Sequence, residues 1–109
     1  AGQCWYVYGL VDPSDATNTV RYIGVTPYPY KRLLLHIQGP VSHRTGTRCR
    51  EWLDGLAAVN RYPSMVILDI VRGGRIEAIR VEWQHIRATD KANLLNGYTR
   101  GPLHHGGCT

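Results

Sequence analysis

The amino-acid sequence predicts an α+β domain in which a small, largely antiparallel sheet of three strands is flanked by three helices. Two observations favour this class: short apolar runs near the start and the middle of the chain, and three longer segments with helical spacing of apolar residues. Their order is β-β-α-α-β-α, which groups helices beside a sheet instead of alternating strand and helix throughout. A chain of 109 residues suits a single domain.

The first two strands form a predicted hairpin. Large side chains alternate over Trp5–Val11, and the segment Asp12–Asn18 that follows is dense in turn-forming residues. The second strand is predicted over Val20–Gly24, and we expect it to pair antiparallel with the first. Pro27 and Pro29 then end the hairpin, because proline cannot donate to a strand ladder.

Three helices and one further strand follow. The helices are predicted over Tyr30–Gln38, about Arg48–Val59 and roughly Ile76–Thr89, with a polar loop at residues 39–46. Between the second and third helices lies Met65–Val71, a short apolar run after a proline. We expect this run to be the central strand of the sheet.

Charge and composition restrict the class of partner. The net charge is +5, the pI is about 9.4, and eleven of the 13 basic residues are arginine. Arginine binds phosphate oxygens through paired hydrogen bonds. The arginine bias therefore favours a protein that binds a polyanionic partner over one whose basic surface has no binding role. No apolar stretch is long enough to span a bilayer and no signal pattern opens the chain. We therefore expect no membrane partner and a cytoplasmic location or, in a eukaryote, a nuclear one. A nucleoid-associated protein, or one of phage or mobile-element origin, fits this expectation.

Cysteines and histidines give little support for a structural metal site. The cysteines are Cys4, Cys49 and Cys108. Their number and irregular spacing argue against a disulfide framework and fit a reducing compartment. The groups His43/Cys49 and His104/His105/Cys108 lack the paired spacing of zinc sites, so we expect a surface loop and a tail. The domain is therefore predicted over residues 1–97 and the tail over residues 98–109.

The third predicted helix carries a carboxylate in an apolar setting. Its expected apolar stripe, spaced by three and four residues, is Ile76, Ile79, Trp83 and Ile86. Glu82 lies on or beside this stripe. Because burial of an unpaired carboxylate is costly, Glu82 needs a metal, a cationic partner or a proton. A boundary glutamate paired with one of the arginines is the structural alternative.

Four other residues complete a possible catalytic set. Tyr8 and Tyr22 lie on the two paired strands, while Arg32 and His36 are four apart on the first helix and share a face. Each pair also has a structural interpretation, as cross-strand packing or as ordinary surface. Together with Glu82 they offer a general base, a cationic side chain that stabilises the phosphate charge, and a metal ligand. Metal-assisted phosphodiester cleavage needs these three groups.

Two short motifs on the hairpin resemble those that define the GIY-YIG endonuclease family. The first corresponds to Tyr6-Val7-Tyr8 and the second to Tyr22-Ile23-Gly24. The chain departs from the family pattern in having Tyr6 in place of glycine, Val7 in place of isoleucine, and Val25 where many members have a polar or basic residue. The connection between the motifs is also longer than usual, which costs little in loop closure.

The remaining residues of the family's site fall on matching positions. The helix arginine matches Arg32, ten residues after Tyr22, and the histidine often found four residues later matches His36. The glutamate of the third helix matches Glu82, and the late asparagine matches Asn96. This resemblance spans about residues 5–97 and implies the same order of strands and helices.

The resemblance implies a divalent-metal-dependent DNA endonuclease. Glu82 would hold one Mg²⁺ or Mn²⁺ ion, and Arg32 would stabilise the charge of the transition state. Tyr8 and Tyr22 would orient or deprotonate the attacking water, and His36 is a competing candidate for the general base. No small-molecule cofactor is implied.

Further residues have expected supporting or binding roles. The resemblance gives Gly24 and Asn96 supporting, structural roles. Expected phosphate contacts are Lys31, Arg44, Arg48, Arg50 and Arg100. Because the sequence has no appended recognition module, selective cutting would need a separate targeting protein or a branched or nicked substrate. The alternatives are a non-catalytic nucleic-acid-binding or adaptor domain of the same fold, and an unrelated small basic domain. The oligomeric state stays open.

Overall fold

The computed structural model of this chain describes residues 4–38 and 47–96. The elements, in chain order, are β1 (Cys4–Val11), β2 (Val20–Thr26), α1 (Pro29–Gln38), α2 (Thr47–Ala58), β3 (Ser64–Arg72) and α3 (Arg75–Ala88). The α+β class and the β-β-α-α-β-α order are confirmed, and every boundary lies within about two residues of its predicted position. The predicted loop at 39–46 and the predicted tail at 98–109 lie outside the described residues.

The three strands form one antiparallel sheet in the order β2-β1-β3. The prediction that the run Met65–Val71 is the central strand is therefore wrong, because β1 is central and β3 lies at an edge. Ile67 and Ile70 of β3 are 46% and 56% exposed, so this apolar run reflects strand propensity and not burial on both faces. A bulge at Leu68 shifts the β1–β3 register between the pairs Val7–Asp69 and Tyr8–Ile67.

The two faces of the sheet are covered by different helices, because side chains alternate along a strand. On one face α3 completes a core whose buried members include Val7, Ile23, Val25, Ala78, Ile79 and Ile86. On the other face α1 and α2 complete a core that includes Tyr8, Leu10, Tyr22, Leu33, Cys49 and Leu53. We call the second face the tyrosine face.

The buried stripe of α3 differs from the predicted one at its start. Its buried residues are Ala78, Ile79, Glu82 and Ile86. Ile76 is 67% exposed, so its predicted place in the stripe is wrong. At 3.6 residues per turn, Ile76 lies roughly 100° around the helix axis from the centre of the buried stripe. Glu82 lies at that centre.

Two further findings concern the cysteines and the membrane prediction. Cys4 and Cys49 are free thiols, and Cys49 is buried in the core of the tyrosine face. Across residues 4–38 and 47–96, no helix has both the length and the apolar character required to cross a membrane. Cys108 and the histidines of its predicted tail lie outside these ranges.

Candidate active site

Three aromatic rings from three elements meet on the tyrosine face. Tyr8 of β1, Tyr22 of β2 and His36 of α1 have ring centroids 5.4 to 6.2 Å apart. The hairpin register sets Tyr8 opposite Gly24 and Tyr22 opposite Leu10, which makes the two tyrosines diagonal neighbours on one face. The structure therefore brings these three predicted site residues together.

The cluster is closed from solvent. Tyr8, Tyr22 and His36 are 1%, 0% and 1% exposed. The tyrosine hydroxyls therefore do not line an open groove, because α1 and α2 cover the rings. The interpretation of Arg32 and His36 as ordinary surface residues is also wrong for His36, because His36 is buried.

A buried hydrogen bond joins two members of the cluster. Tyr8 Oη lies 2.9 Å from His36 Nε2. The other ring nitrogen, Nδ1 of His36, is buried without a hydrogen-bond partner within the part of the chain that the structure describes. Buried polar atoms are rarely left unpaired, so Nδ1 is a position where a water molecule or a substrate oxygen could bind.

Burial, together with the positive charges of Arg32 and Arg50, lowers the pKa of His36 to about 4. The ring is therefore neutral at pH 7 and carries a single N–H. If the Tyr8 hydroxyl donates to Nε2, the single N–H proton of the imidazole ring lies on Nδ1. In this tautomer Nε2 presents a lone pair to the tyrosine.

Gly24 leaves the space that the Tyr8 ring occupies. A Cβ atom at this position would lie 2.6 Å from Tyr8 Oη and 2.7 Å from Tyr8 Cζ, closer than real contacts allow. The ring of Tyr8 thus extends across the strand over Gly24. The glycine of the second motif is required by this contact, and its supporting role here is to admit the tyrosine.

Two arginines flank His36. Arg32 is half-buried one helical turn before it. Arg50 donates from Nη2 to the backbone oxygen of His36 at 3.3 Å and from Nε to Asp54 Oδ1 at 3.2 Å. Arg50 therefore ties α2 to the end of α1, a role that no spacing in the sequence indicated. Of the other expected phosphate contacts, Lys31 and Arg48 are exposed, and Arg44 and Arg100 lie outside the described residues.

Glu82 is 2% exposed, so the predicted burial of this carboxylate is confirmed. Its neighbours on the buried stripe of α3 belong to the core on the face of the sheet opposite the three rings. The structure thus gathers Tyr8, Tyr22 and His36 on one face and places Glu82 on the helix that covers the other. That Glu82 belongs to one catalytic set with the tyrosines stays a prediction.

The donor chemistry of Glu82 fits a magnesium ion. Carboxylate oxygens are the ligands that Mg²⁺ prefers, and the ion commonly binds one or two carboxylates while it keeps several waters. No group of three or more metal-ligating side chains occurs among residues 4–38 and 47–96. Because Glu82 is 2% exposed, a hydrated cation reaches it only after a local outward movement.

Asn96 binds the backbone of the second motif. Its Oδ1 accepts a hydrogen bond from Ile23 N at 3.0 Å, and its Nδ2 donates to Ile23 O at 2.8 Å. Next to it, Leu95 N donates to Arg21 O at 2.6 Å. Residues 95–96 therefore bond to the edge of β2 away from β1 and fix the strand that carries Tyr22. This geometry fits the structural role that the resemblance implied.

Comparison with known proteins adds no relative. No protein-family model, curated protein or solved structure matches this chain. The likeness to GIY-YIG endonucleases therefore rests on the motif residues and their spacing.

Proposed function

We propose that this chain is a divalent-metal-dependent endonuclease that hydrolyses DNA phosphodiester bonds. The observation that supports this proposal most directly is the cluster of Tyr8, Tyr22 and His36. These residues come from two strands and a helix, and the bonded pair Tyr8 and His36 are 28 positions apart in sequence. A pair of hydroxyls beside a neutral imidazole can orient a water molecule and accept its proton.

Each residue of the cluster has a distinct task in this proposal. Tyr8 and Tyr22 orient the attacking water through their hydroxyls. His36, with a pKa of about 4, is in the neutral form at pH 7. Its Nε2 lone pair accepts the hydroxyl proton of Tyr8 while Tyr8 takes the proton of the water. Arg32, one turn away, stabilises the negative charge that develops on the phosphate. Because the rings are buried, α1 or α2 has to move before a phosphate reaches them.

Glu82 would hold the Mg²⁺ or Mn²⁺ ion. When bound, such an ion polarises the scissile phosphate and stabilises the leaving oxygen. DNA as the substrate is supported by the net charge of +5 and by the arginine-rich composition. Exposed Lys31 and Arg48 supply phosphate contacts, and a separate targeting protein or a branched substrate supplies selectivity.

The second candidate function is a non-catalytic nucleic-acid-binding or adaptor domain of the same fold. One observation favours it: Tyr8, Tyr22, His36 and Glu82 are all at most 2% exposed, and Glu82 belongs to the helix on the opposite face. In an adaptor these residues would serve as a buried polar core that fixes the helices on the sheet.

A plasmid-nicking assay separates the two functions. The wild-type chain is incubated with supercoiled DNA in Mg²⁺, in Mn²⁺ and in EDTA, beside Tyr8→Phe and Tyr22→Phe, which each remove one hydroxyl. Tyr62→Phe, at a residue 52% exposed, is the control. We expect metal-dependent nicking that falls by about 100-fold or more in at least one of the two core variants and is unchanged in the control. Binding without nicking in any metal would favour the adaptor, and wild-type rates in both core variants would refute the assigned roles.

A further inference from the structure

One line of side chains connects the surface of α1 to the candidate site. Tyr28 immediately precedes α1, and Arg32 and His36 follow it at intervals of four residues. Arg32 N donates to Tyr28 O at 2.9 Å, so the helical spacing extends back to Tyr28. Tyr28 is 59% exposed, Arg32 is half-buried and His36 is 1% exposed. The line begins in solvent and ends in the ring cluster.

The exposed end of this line combines apolar surface with positive charge. Leu35, 48% exposed, and Lys31, also exposed, lie beside the line on the same side of the helix. No acidic residue occurs anywhere in α1, which reads PYKRLLLHIQ. An exposed aromatic ring among cations is the arrangement by which proteins bind unpaired nucleotides, the ring against a base and the cations against the backbone.

We propose that Tyr28 is a stacking platform for an unpaired nucleobase, so that the substrate has unpaired nucleotides beside the scissile phosphate. This inference rests on the proposed function and specifies its substrate. Four residues of helix span about 6 Å, which lets a base stacked on Tyr28 present its phosphate to Arg32. In a continuous duplex both faces of each base are covered by neighbours, which leaves none for the tyrosine ring. The preferred substrate is therefore a single strand, a flap or a frayed end.

The chain offers matched controls for Tyr28. Tyr30 is 74% exposed in the first turn of α1. It is two residues away from Arg32, which turns it about 160° around the helix axis from Arg32. Tyr62 is 52% exposed and precedes β3. Thr26 Oγ1 accepts a hydrogen bond from Tyr28 N at 3.0 Å, which involves only the backbone of Tyr28 and is kept when the side chain is changed.

The test is fluorescence anisotropy in EDTA, where no metal-dependent cleavage occurs. The probes are a fluorescein-labelled oligothymidine and a mixed-sequence duplex of the same length. We expect Tyr28→Ala to weaken binding of the single strand about tenfold, as the loss of one stacked base does, and to change duplex binding less than about twofold. Tyr28→Phe keeps the ring and should bind as the wild type does, as should Tyr30→Ala and Tyr62→Ala.

Several outcomes would overturn the inference. One is that Tyr28→Ala weakens binding of the single strand and of the duplex equally. Another is that Tyr30→Ala weakens binding of the single strand as much as Tyr28→Ala does. A third is that the wild-type chain does not bind the single strand, as would occur if this surface served a protein partner. Because the binding assay contains no metal, it is independent of cleavage. Strand binding that depends on Tyr28, without cleavage of the same labelled strand in Mg²⁺ or in Mn²⁺, would refute the endonuclease and leave the stacking platform in place.

Discussion

Replacing Gly24 by alanine is expected to displace the Tyr8 ring. The added Cβ would lie 2.6 Å from Tyr8 Oη and 2.7 Å from Cζ. The ring has little room to move, because Tyr8 is 1% exposed and its hydroxyl is bonded to His36. Overpacking of a core costs about 1–3 kcal/mol, and loss of the Tyr8–His36 bond adds about 1 kcal/mol. The free energy of unfolding should therefore fall by about 2–4 kcal/mol.

The same substitution elsewhere in the chain should have the opposite effect. Gly55 lies within α2, is exposed, and has no heavy atom within 4 Å of the position that a Cβ would take. Alanine in a helix interior is favoured over glycine by about 0.5–1 kcal/mol, so Gly55→Ala should stabilise the protein by that amount.

Equilibrium urea unfolding of the wild type and of both variants measures these differences directly. The expected order of stability is Gly55→Ala, then wild type, then Gly24→Ala. A Gly24→Ala variant within about 0.5 kcal/mol of the wild type, the range of a neutral surface change, would refute the contact between the Tyr8 ring and Gly24.

Two further predictions concern residues that hold or belong to the cluster. Asn96→Ala removes two hydrogen bonds to the Ile23 backbone and should cost about 2–3 kcal/mol in urea unfolding, while exposed Asn93→Ala stays within about 0.5 kcal/mol. Equal stabilities of these two variants would contradict this role of Asn96. The folded-state pKa of His36 is lowered from 6.5 to about 4, so the unfolded chain binds the proton more readily and stability falls as the pH drops from 6.5 toward 4. In His36→Gln the fall in the free energy of unfolding over this pH range should be smaller by up to about 3 kcal/mol. Parallel curves of stability against pH for the wild type and the variant would rule out the lowered pKa of His36.

Much of the fold was predictable because its determinants are local. Apolar periodicity and proline positions define the elements within about two residues, and the hairpin turn follows from Asp12 and Asp15. The carboxylates of these residues accept hydrogen bonds from Ser14 and Thr17, which lower the pKa of each carboxyl below its ordinary value. The place of β3 in the sheet was not predictable in this way. An apolar run shows that a segment prefers the extended conformation, but not whether a second strand covers its outer edge.

The candidate site was predictable as a set of residues but not as an arrangement. Spacing selects Tyr8, Tyr22 and His36, yet their burial depends on how α1 and α2 pack on the sheet. The bond from Arg50 to the His36 oxygen joins two helices, and the bonds from Asn96 reach a residue 73 positions earlier. Neither pairing has a local signature, because each is set by the tertiary fold.

The position of Glu82 is the strictest constraint on the proposed function. The proposal assigns the metal to Glu82, a carboxylate buried at the centre of the α3 stripe. Its helix nevertheless covers the face of the sheet opposite the three rings. The endonuclease proposal therefore requires that Glu82 and the cluster act on one phosphate after a local movement.

Plasmid nicking by Glu82→Gln across a Mg²⁺ titration tests this requirement most directly. The substitution keeps the size of the side chain and removes its charge, and Glu77→Gln, at an exposed residue of the same helix, is the matched control. Urea unfolding of both variants establishes that they are folded. We expect Glu82→Gln to lose nicking at every Mg²⁺ concentration while Glu77→Gln retains the wild-type rate. Nicking by folded Glu82→Gln at the wild-type rate and with the wild-type Mg²⁺ dependence would contradict the account.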